Sequence, residues 1–193
     1  MARPREFDEA EVVDRARNAF WAQGVAATSI ADLSDATGLS VGSIYKAFKS
    51  KDQLCALTLE DYLQQAQEHL ADTLAAAPTP WDGLRAWLED IIDQAVDTSP
   101  TRGCYAVELA AERAAVDDRV RSLLVDHDAV IRDTVAAAVR DAVGAGRVSG
   151  DADGVARLIC TTINGLQVDA RKGLTRPEAR ATIDTMLGAL QTD

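Results

Sequence analysis

Apolar residues recur at helical spacing along most of this 193-residue chain, and that periodicity limits the fold more than any other feature. Near the N-terminus Val12, Val13, Ala16 and Phe20 share one helix face, and similar stripes follow along the chain. The alternation of Val, Ile, Thr and Tyr that is typical of strands is nearly missing, whereas alanine, the strongest helix former, is abundant. The sequence therefore predicts an all-α protein.

Capping residues, glycines and prolines divide this pattern into about nine helices. The first four helices are predicted from their caps and stops, which are Asp8, Gly24, Thr28 or Ser29, Gly38, Ser40 and Ser50. The other five are predicted over residues 81–98, 103–113, 118–144, 151–173 and 176–191. Because the fourth helix is long, we expect it to run from a small domain, residues 1–51, into a larger one, residues 52–193.

The second and third helices are short, and only a brief turn that starts with Gly38 separates them. Two short helices joined in this way form a helix-turn-helix, in which glycine supplies the left-handed backbone of the turn. In the third helix, Ile44 and Phe48 lie four residues apart and are expected to face inward. Ser43 and Lys46 are expected to face outward.

Charge is unevenly distributed along the chain, whose formal net charge is -11. Residues 1–51 contain seven basic and seven acidic residues, so the remaining residues carry the whole negative charge. Three lysines, at positions 46, 49 and 51, nevertheless gather in the third helix and just after it. Such a local basic cluster in an acidic protein indicates an anionic partner.

Several functional classes are disfavoured by the residues present. An apolar run of 18 residues is missing and the N-terminus is charged, so a cytoplasmic protein without a membrane partner is expected. Cys55, Cys104 and Cys160 form no C-x-x-C pair, and the stretch 144–150, GAGRVSG, lacks phosphate-loop spacing. We expect no catalytic residues, metal site or cofactor. A helical enzyme and a helical adaptor remain the alternatives.

The run ATSIADLSDATGLSVGSIYKAFKSKDQL, residues 27–54, resembles the N-terminal domain of TetR-family transcriptional regulators. The residues that carry the resemblance are Thr28, Ile30, Leu33, Ala36, Gly38, Ser40, Gly42, Tyr45, Phe48, Lys51 and Leu54. The resemblance implies a homodimeric repressor that binds a palindromic duplex operator. It also implies a C-terminal helical domain that dimerises and binds a small effector. The sequence names neither the effector nor the operator.

The resemblance assigns DNA contacts within this run. Tyr45 and Lys51 are expected to hold phosphates with help from Thr28, and Lys49 belongs to the same anion-binding surface. The residues expected to read bases are Val41, Gly42, Ser43 and Lys46, with core positions as the alternative for Val41 and Tyr45. Arg3 and Arg5 are a candidate arm for the minor groove, with a plain tail as the alternative.

The last two helices carry the predicted dimer interface. Its residues are Val155, Leu158, Ile159, Thr162, Leu166, Ile183, Met186, Leu187 and Leu190. Gly165 and Gly188 would permit close approach in a four-helix bundle, although either stripe is equally compatible with intramolecular core. The effector pocket is expected among helices 4 to 8, lined by Tyr62, His69, Trp87, Cys104, Tyr105, Glu108 and Asn164.

Cys104 offers a second functional hypothesis. If Thr101 caps the sixth helix, Cys104 lies in its first turn, where free backbone amides favour a thiolate. A Gly-Cys pair at this place also resembles a TetR subgroup that senses electrophiles or oxidants. An inert thiol in the pocket wall is the alternative.

Overall fold

The computed structural model describes residues 7–96 and 103–192, and over these ranges the chain forms nine α-helices. They are α1 (Glu9–Gln23), α2 (Ile30–Thr37), α3 (Val41–Phe48), α4 (Lys51–Ala76), α5 (Pro80–Val96), α6 (Tyr105–Arg113), α7 (Asp118–Gly144), α8 (Ala152–Ala170) and α9 (Arg176–Leu190). The described ranges contain no helix that is long and apolar enough to cross a membrane. The predicted all-α fold with an N-terminal helix-turn-helix is confirmed.

Side-chain caps fix the starts of the first four helices. Asp8 accepts the N–H groups of α1, and Ser40 and Ser50 do the same for α3 and α4. Ser29, and not Thr28, caps α2, where Asp32 closes a reciprocal capping box. These local bonds explain why the predicted helix starts agree closely with the structure.

The first hydrophobic core joins the helix-turn-helix to the helices behind it. Phe20, Leu33 and Ile44 of α1, α2 and α3 are almost fully buried against Leu59 of α4 and Leu109 of α6. The helix-turn-helix therefore packs on α4 and α6, and packing is continuous across the predicted domain boundary at residue 51.

The second core is formed by α5, α7, α8, α9 and the end of α4. It contains five residues of the predicted dimer interface: Val155, Ile159, Leu166, Ile183 and Leu187. Each is at most 6 % exposed within the single chain. This burial corrects the prediction that they contact a second subunit, because a side chain enclosed by its own chain has almost no surface left. The intramolecular alternative holds for these five.

Candidate DNA-binding surface and effector cavity

The outer face of α3 is the surface that the helix-turn-helix presents to solvent. Val41 is 43 % and Tyr45 is 48 % exposed, and Gly42 and Lys46 are exposed beside them. Ile44 and Phe48 are buried on the opposite face, as the four-residue spacing predicts. The core alternatives for Val41 and Tyr45 are thus excluded, and both remain candidates for DNA contact.

Ser43 lies at the edge of this face and is half-buried. Its hydroxyl oxygen lies 2.9 Å from the Ser40 hydroxyl oxygen, so the two side chains share a hydrogen bond at the start of α3. A base contact by Ser43 stays a prediction, and it would have to compete with or extend this pair.

A tight turn at Lys49 fixes how α3 meets α4. Lys49 has φ +66°, and the N–H of Ser50 donates to the Phe48 carbonyl across it at 2.8 Å. This three-residue turn is strained for a residue with a side chain. The packing of Phe48 and the Ser50 cap hold it, and the Lys49 side chain is left exposed beside the α3 face.

Lys51 forms hydrogen bonds within the chain, in addition to any contact with DNA. Its ammonium group donates to the carbonyl of Val25 at 2.8 Å and to that of Thr28 at 2.9 Å. It therefore ties the start of α4 to the turn between α1 and α2. A phosphate contact by the third N–H of this group stays a prediction.

The predicted contact of Thr28 with DNA is corrected by its burial. Its side chain is 0 % exposed, and its hydroxyl donates to the Gly24 carbonyl at 2.6 Å. The hydroxyl instead closes the turn that precedes α2. Arg3 and Arg5, the predicted arm, lie outside the described residues.

A cavity of about 730 Å³ lies among α1, α4, α5, α6, α7 and α8. The predicted pocket residues that line it are Tyr62, His69, Trp87, Cys104 and Asn164. Its volume is within the range of sites for small organic molecules. Gly103, with φ +65°, allows the chain before α6 to reach α8, since a Cβ there would lie 2.8 Å from the Gln167 carbonyl.

Two predicted pocket residues do not line the cavity. Tyr105 is fully buried beside it, and its hydroxyl pairs with that of Thr58 at 2.9 Å. Glu108 pairs with Arg171 at 2.5 Å. Both lie on α6, but their side chains point to neighbouring helices and not into the cavity. The direction of a side chain depends on tertiary packing, so the sequence spacing does not reveal it.

Sequence reasoning missed the contribution of α1 to this cavity. Arg17 and Trp21 line it, and the Trp21 ring stacks edge-on against Tyr62 at a centroid distance of 5.5 Å. The sequence signal that could have shown this is Trp21 itself, a large aromatic residue. It follows Phe20 directly and therefore lies off the face of α1 that packs into the core. The cavity wall is consequently shared by α1 of the N-terminal domain and the C-terminal helices.

Comparison with known proteins decides the family. Residues 12–57 match the family described as bacterial regulatory proteins, tetR family, and residues 80–190 match the tetracyclin repressor-like C-terminal domain. The chain belongs to the TetR family. It is therefore a DNA-binding transcriptional repressor by family, and not an enzyme.

Relatives of similar length support this assignment. The transcriptional repressor ComR of Escherichia coli is 24 % identical over 89 % of this chain and 83 % of its own length. BdcR, another repressor of Escherichia coli, is 25 % identical over 98 % of this chain and 92 % of its own. A cysteine mutant of the TetR-family regulator CifR, solved with operator DNA, has a TM-score of 0.84 and 28 % identity, with 97 % of this chain and 99 % of CifR covered.

In this TetR-family chain, Cys104 occupies the N-cap position of α6. The sequence had predicted that it lies within the first turn of this helix. Its sulfur lies 3.5 Å from the Tyr62 hydroxyl. Burial raises the pKa of the Cys104 thiol, and the hydrogen bonds from Tyr62 and from the amides of Val107 and Ala106 only partly oppose this effect. The neutral thiol is thus the favoured form at neutral pH.

Helix α6 connects the cavity with the helix-turn-helix. Its first two turns contribute Ala106, Val107 and Ala110 to the cavity wall. At its other end, the Glu112 carboxylate accepts the N–H groups of Val25 at 2.9 Å and Ala26 at 2.6 Å. Hydrogen bonds therefore join this cavity-lining helix to the turn between α1 and α2.

The exposed side of α8 retains an apolar surface. Leu158 is 48 % and Val168 is 43 % exposed, and Gly165 between them faces open space. Gly188 of α9 is equally open, whereas Thr162, Met186 and Leu190 are partly buried. A dimer contact by Leu158, Thr162, Met186 and Leu190 stays a prediction, and Val168 joins the candidates.

Across residues 7–96 and 103–192, no group of three or more His, Cys, Asp or Glu side chains is arranged to hold a metal ion. Cys55, Cys104 and Cys160 are free thiols. The His127 imidazole lines the cavity, and its Nδ1 lies 3.2 Å from the Gln67 amide nitrogen.

Proposed function

We propose that this TetR-family protein binds a palindromic operator as a homodimer and leaves it when a small effector enters the cavity. The observation that carries the proposal is the shared cavity wall. Arg17 and Trp21 of α1 line the same space as residues of α4 to α8. An occupant therefore touches the DNA-binding half directly.

The DNA contact is assigned to the outer face of α3. Lys46 is exposed and able to donate to guanine O6 or N7, and the Tyr45 hydroxyl is free to reach a phosphate. Val41 and Gly42 bring an apolar surface and a close backbone approach beside them. The operator complex of CifR supports this use of the fold.

Release requires that the effector bind one conformation better than the other. A molecule that fills the cavity pushes against Trp21 of α1 and Val107 of α6. Because Glu112 of α6 holds the turn after α1, both contacts change the placement of the helix-turn-helix. Two recognition helices that no longer lie about 34 to 36 Å apart cannot enter successive major grooves.

The homodimer is assigned to the exposed face of α8 together with α9. Leu158 and Val168 are exposed apolar side chains on one α8 surface, with Gly165 between them. Small residues at such a place allow two helices to approach closely. An interface on this face leaves both α3 helices free for DNA.

Sensing through Cys104 is the second candidate function. Its support is the position of the sulfur in the cavity wall, next to the Tyr62 hydroxyl. The raised pKa of the thiol opposes it, since the thiolate is the reactive form. Reversible binding of an effector is therefore the preferred mechanism.

Selection of bound duplexes from a random library tests the DNA-binding proposal. The full chain should enrich an inverted repeat and bind it as a dimer. Lys46→Ala should weaken binding and relax the preference for one base pair in each half-site, by about 1 to 3 kcal/mol. Lys172→Ala is the matched control, because Lys172 pairs with Asp169 far from α3. Failure to enrich any repeat, or equal binding by Lys46→Ala, contradicts the proposal.

A further inference from the structure

We propose that the effector is an organic anion with an apolar, partly aromatic body, and that its charged group binds between Arg132 of α7 and Arg157 of α8. This inference rests on the proposed function of the cavity and names the chemical class of its occupant.

The pairing of the arginines provides the first argument. Within residues 7–96 and 103–192, every arginine except Arg132 and Arg157 forms an ion pair with a carboxylate. Both exceptions line the cavity, and they lie on two helices that pack against each other. In a chain of net charge -11, two unpaired arginines at one place indicate a site for an external anion.

The charge balance of the cavity points the same way. Asp128 is the one carboxylate among its lining residues in the described ranges, and it forms no ion pair with either arginine. Arg17 also lines the cavity, but Asp14 and Asp61 already neutralise it. The cavity therefore keeps an excess of positive charge, and Arg132 and Arg157 carry it.

Both arginines line the cavity, Arg132 as a partly exposed side chain and Arg157 as an exposed one. Arg132 is only partly exposed and close enough to Cys160 that its charge favours the thiolate there. Burial nevertheless prevails and raises the pKa of the Cys160 thiol to about 11. Arg157 lies one helical turn before Cys160 and Thr161, at the solvent side of the cavity. An anion bound here would contact a guanidinium on either side.

The remaining wall defines the body of the ligand. The apolar part of this wall is formed by Trp21, Trp87, Ile91, Leu124 and Ile131, and polar side chains such as Gln94 and Asn164 line the rest. Aromatic rings and aliphatic side chains of this kind favour flat apolar groups. The volume of about 730 Å³ accommodates two or three fused or linked rings.

A pair of fluorescent probes with one aromatic skeleton tests the inference. 1-Anilinonaphthalene-8-sulfonate is an organic anion, and N-phenyl-1-naphthylamine is the same skeleton without the charged group. Both are titrated against the full-length protein in the absence of DNA, with energy transfer from tryptophan to locate binding near Trp21 and Trp87. The anionic probe should bind at least tenfold more tightly, although the protein itself is acidic.

Two variants and one control assign the charged group. Arg132→Gln and Arg157→Gln should each weaken binding of the sulfonate probe by about tenfold and leave the affinity for the neutral probe unchanged. Arg140→Gln is the matched control, because Arg140 lies on α7 outside the cavity and pairs with Asp153. The control should bind both probes as the wild type does.

Each of the other outcomes overturns the inference in a distinguishable way. Equal affinity for the two probes, or unchanged sulfonate binding in both arginine variants, refutes the anionic class but leaves the cavity as an effector site. If neither probe binds near the tryptophans, both the ligand class and the effector role of the cavity are contradicted.

Discussion

The carboxylate of Glu112 accepts a hydrogen bond from the backbone N–H of Val25 at 2.9 Å, which ties α6 to the turn between α1 and α2. The same peptide region is held from the other side, because the Lys51 ammonium donates to the Val25 carbonyl at 2.8 Å. The turn between α1 and α2 is thus hydrogen-bonded both to α6, which lines the cavity, and to the start of α4. Movement of either helix is therefore expected to act on this turn.

Glu112→Gln tests this connection. The substitution keeps the shape of the side chain but leaves one oxygen to accept two N–H groups, so the free energy of unfolding should fall by about 1 to 2 kcal/mol. Denaturant titration measures the change. Glu89→Gln is the control, since its contact with Arg85 is longer, at 3.8 Å, and lies on the surface. An equal and small loss in both variants would show that the Glu112 bonds do not hold the turn.

The proposed dimer interface can be separated from the chain's own core by two substitutions. Leu158→Glu places a charge on the exposed face of α8 and should dissociate the dimer while the monomer stays folded. Leu187→Glu places it in the core, where the side chain is 0 % exposed, and should unfold the protein. Val125→Glu, at an exposed position on α7, is the control. Sedimentation that finds Leu158→Glu still dimeric would move the interface away from α8.

Acidification is expected to destabilise the protein through His127. Burial lowers the pKa of this imidazole below 6.5 in the folded chain, more than the nearby Asp128 raises it. As the pH falls through about 6.5, the unfolded chain takes up this proton first, so the free energy of unfolding decreases. Above that pH both states are neutral and the contribution is constant. His127→Gln should have a flatter profile between pH 7.5 and 5.5, and an unchanged slope would argue against this assignment.

The Cys104 thiol is expected to react slowly, because its raised pKa keeps it protonated. Mild oxidant or N-ethylmaleimide at neutral pH should therefore release operator DNA to the same extent from the wild type and from Cys104→Ser. Peptide mapping by mass spectrometry would identify the modified thiols. Release from the wild type but not from the variant would instead favour the sensing function.

Local sequence signals predicted the helix starts and the outward face of α3 well. Ser40 and Ser50 cap helices by bonds within three residues, and Ile44 with Phe48 reveals the inner face of α3 by spacing alone. Signals of this kind need no knowledge of tertiary structure. The α6 boundary was less accurate, because Cys104 takes the cap position without a side-chain bond.

Contacts between segments that are distant along the chain could not be predicted from the sequence. The hydrogen bonds of Lys51 to the turn after α1, and of Glu112 to the same turn, join residues 23 to 87 positions apart. The apolar stripes of α8 and α9 have the same spacing whether they face the chain's own core or a second subunit. Burial of Ile159 and Leu187 resolves that ambiguity, and the same tertiary view places Trp21 in the cavity wall.

The central claim is that the cavity and the DNA-binding surface affect each other, and linkage measures it most directly. The sulfonate probe is titrated against the free protein and against the protein saturated with its selected operator. Operator should weaken probe binding by about 5- to 150-fold, and probe should weaken operator binding by the same factor. Equal probe affinity with and without operator would contradict the claim.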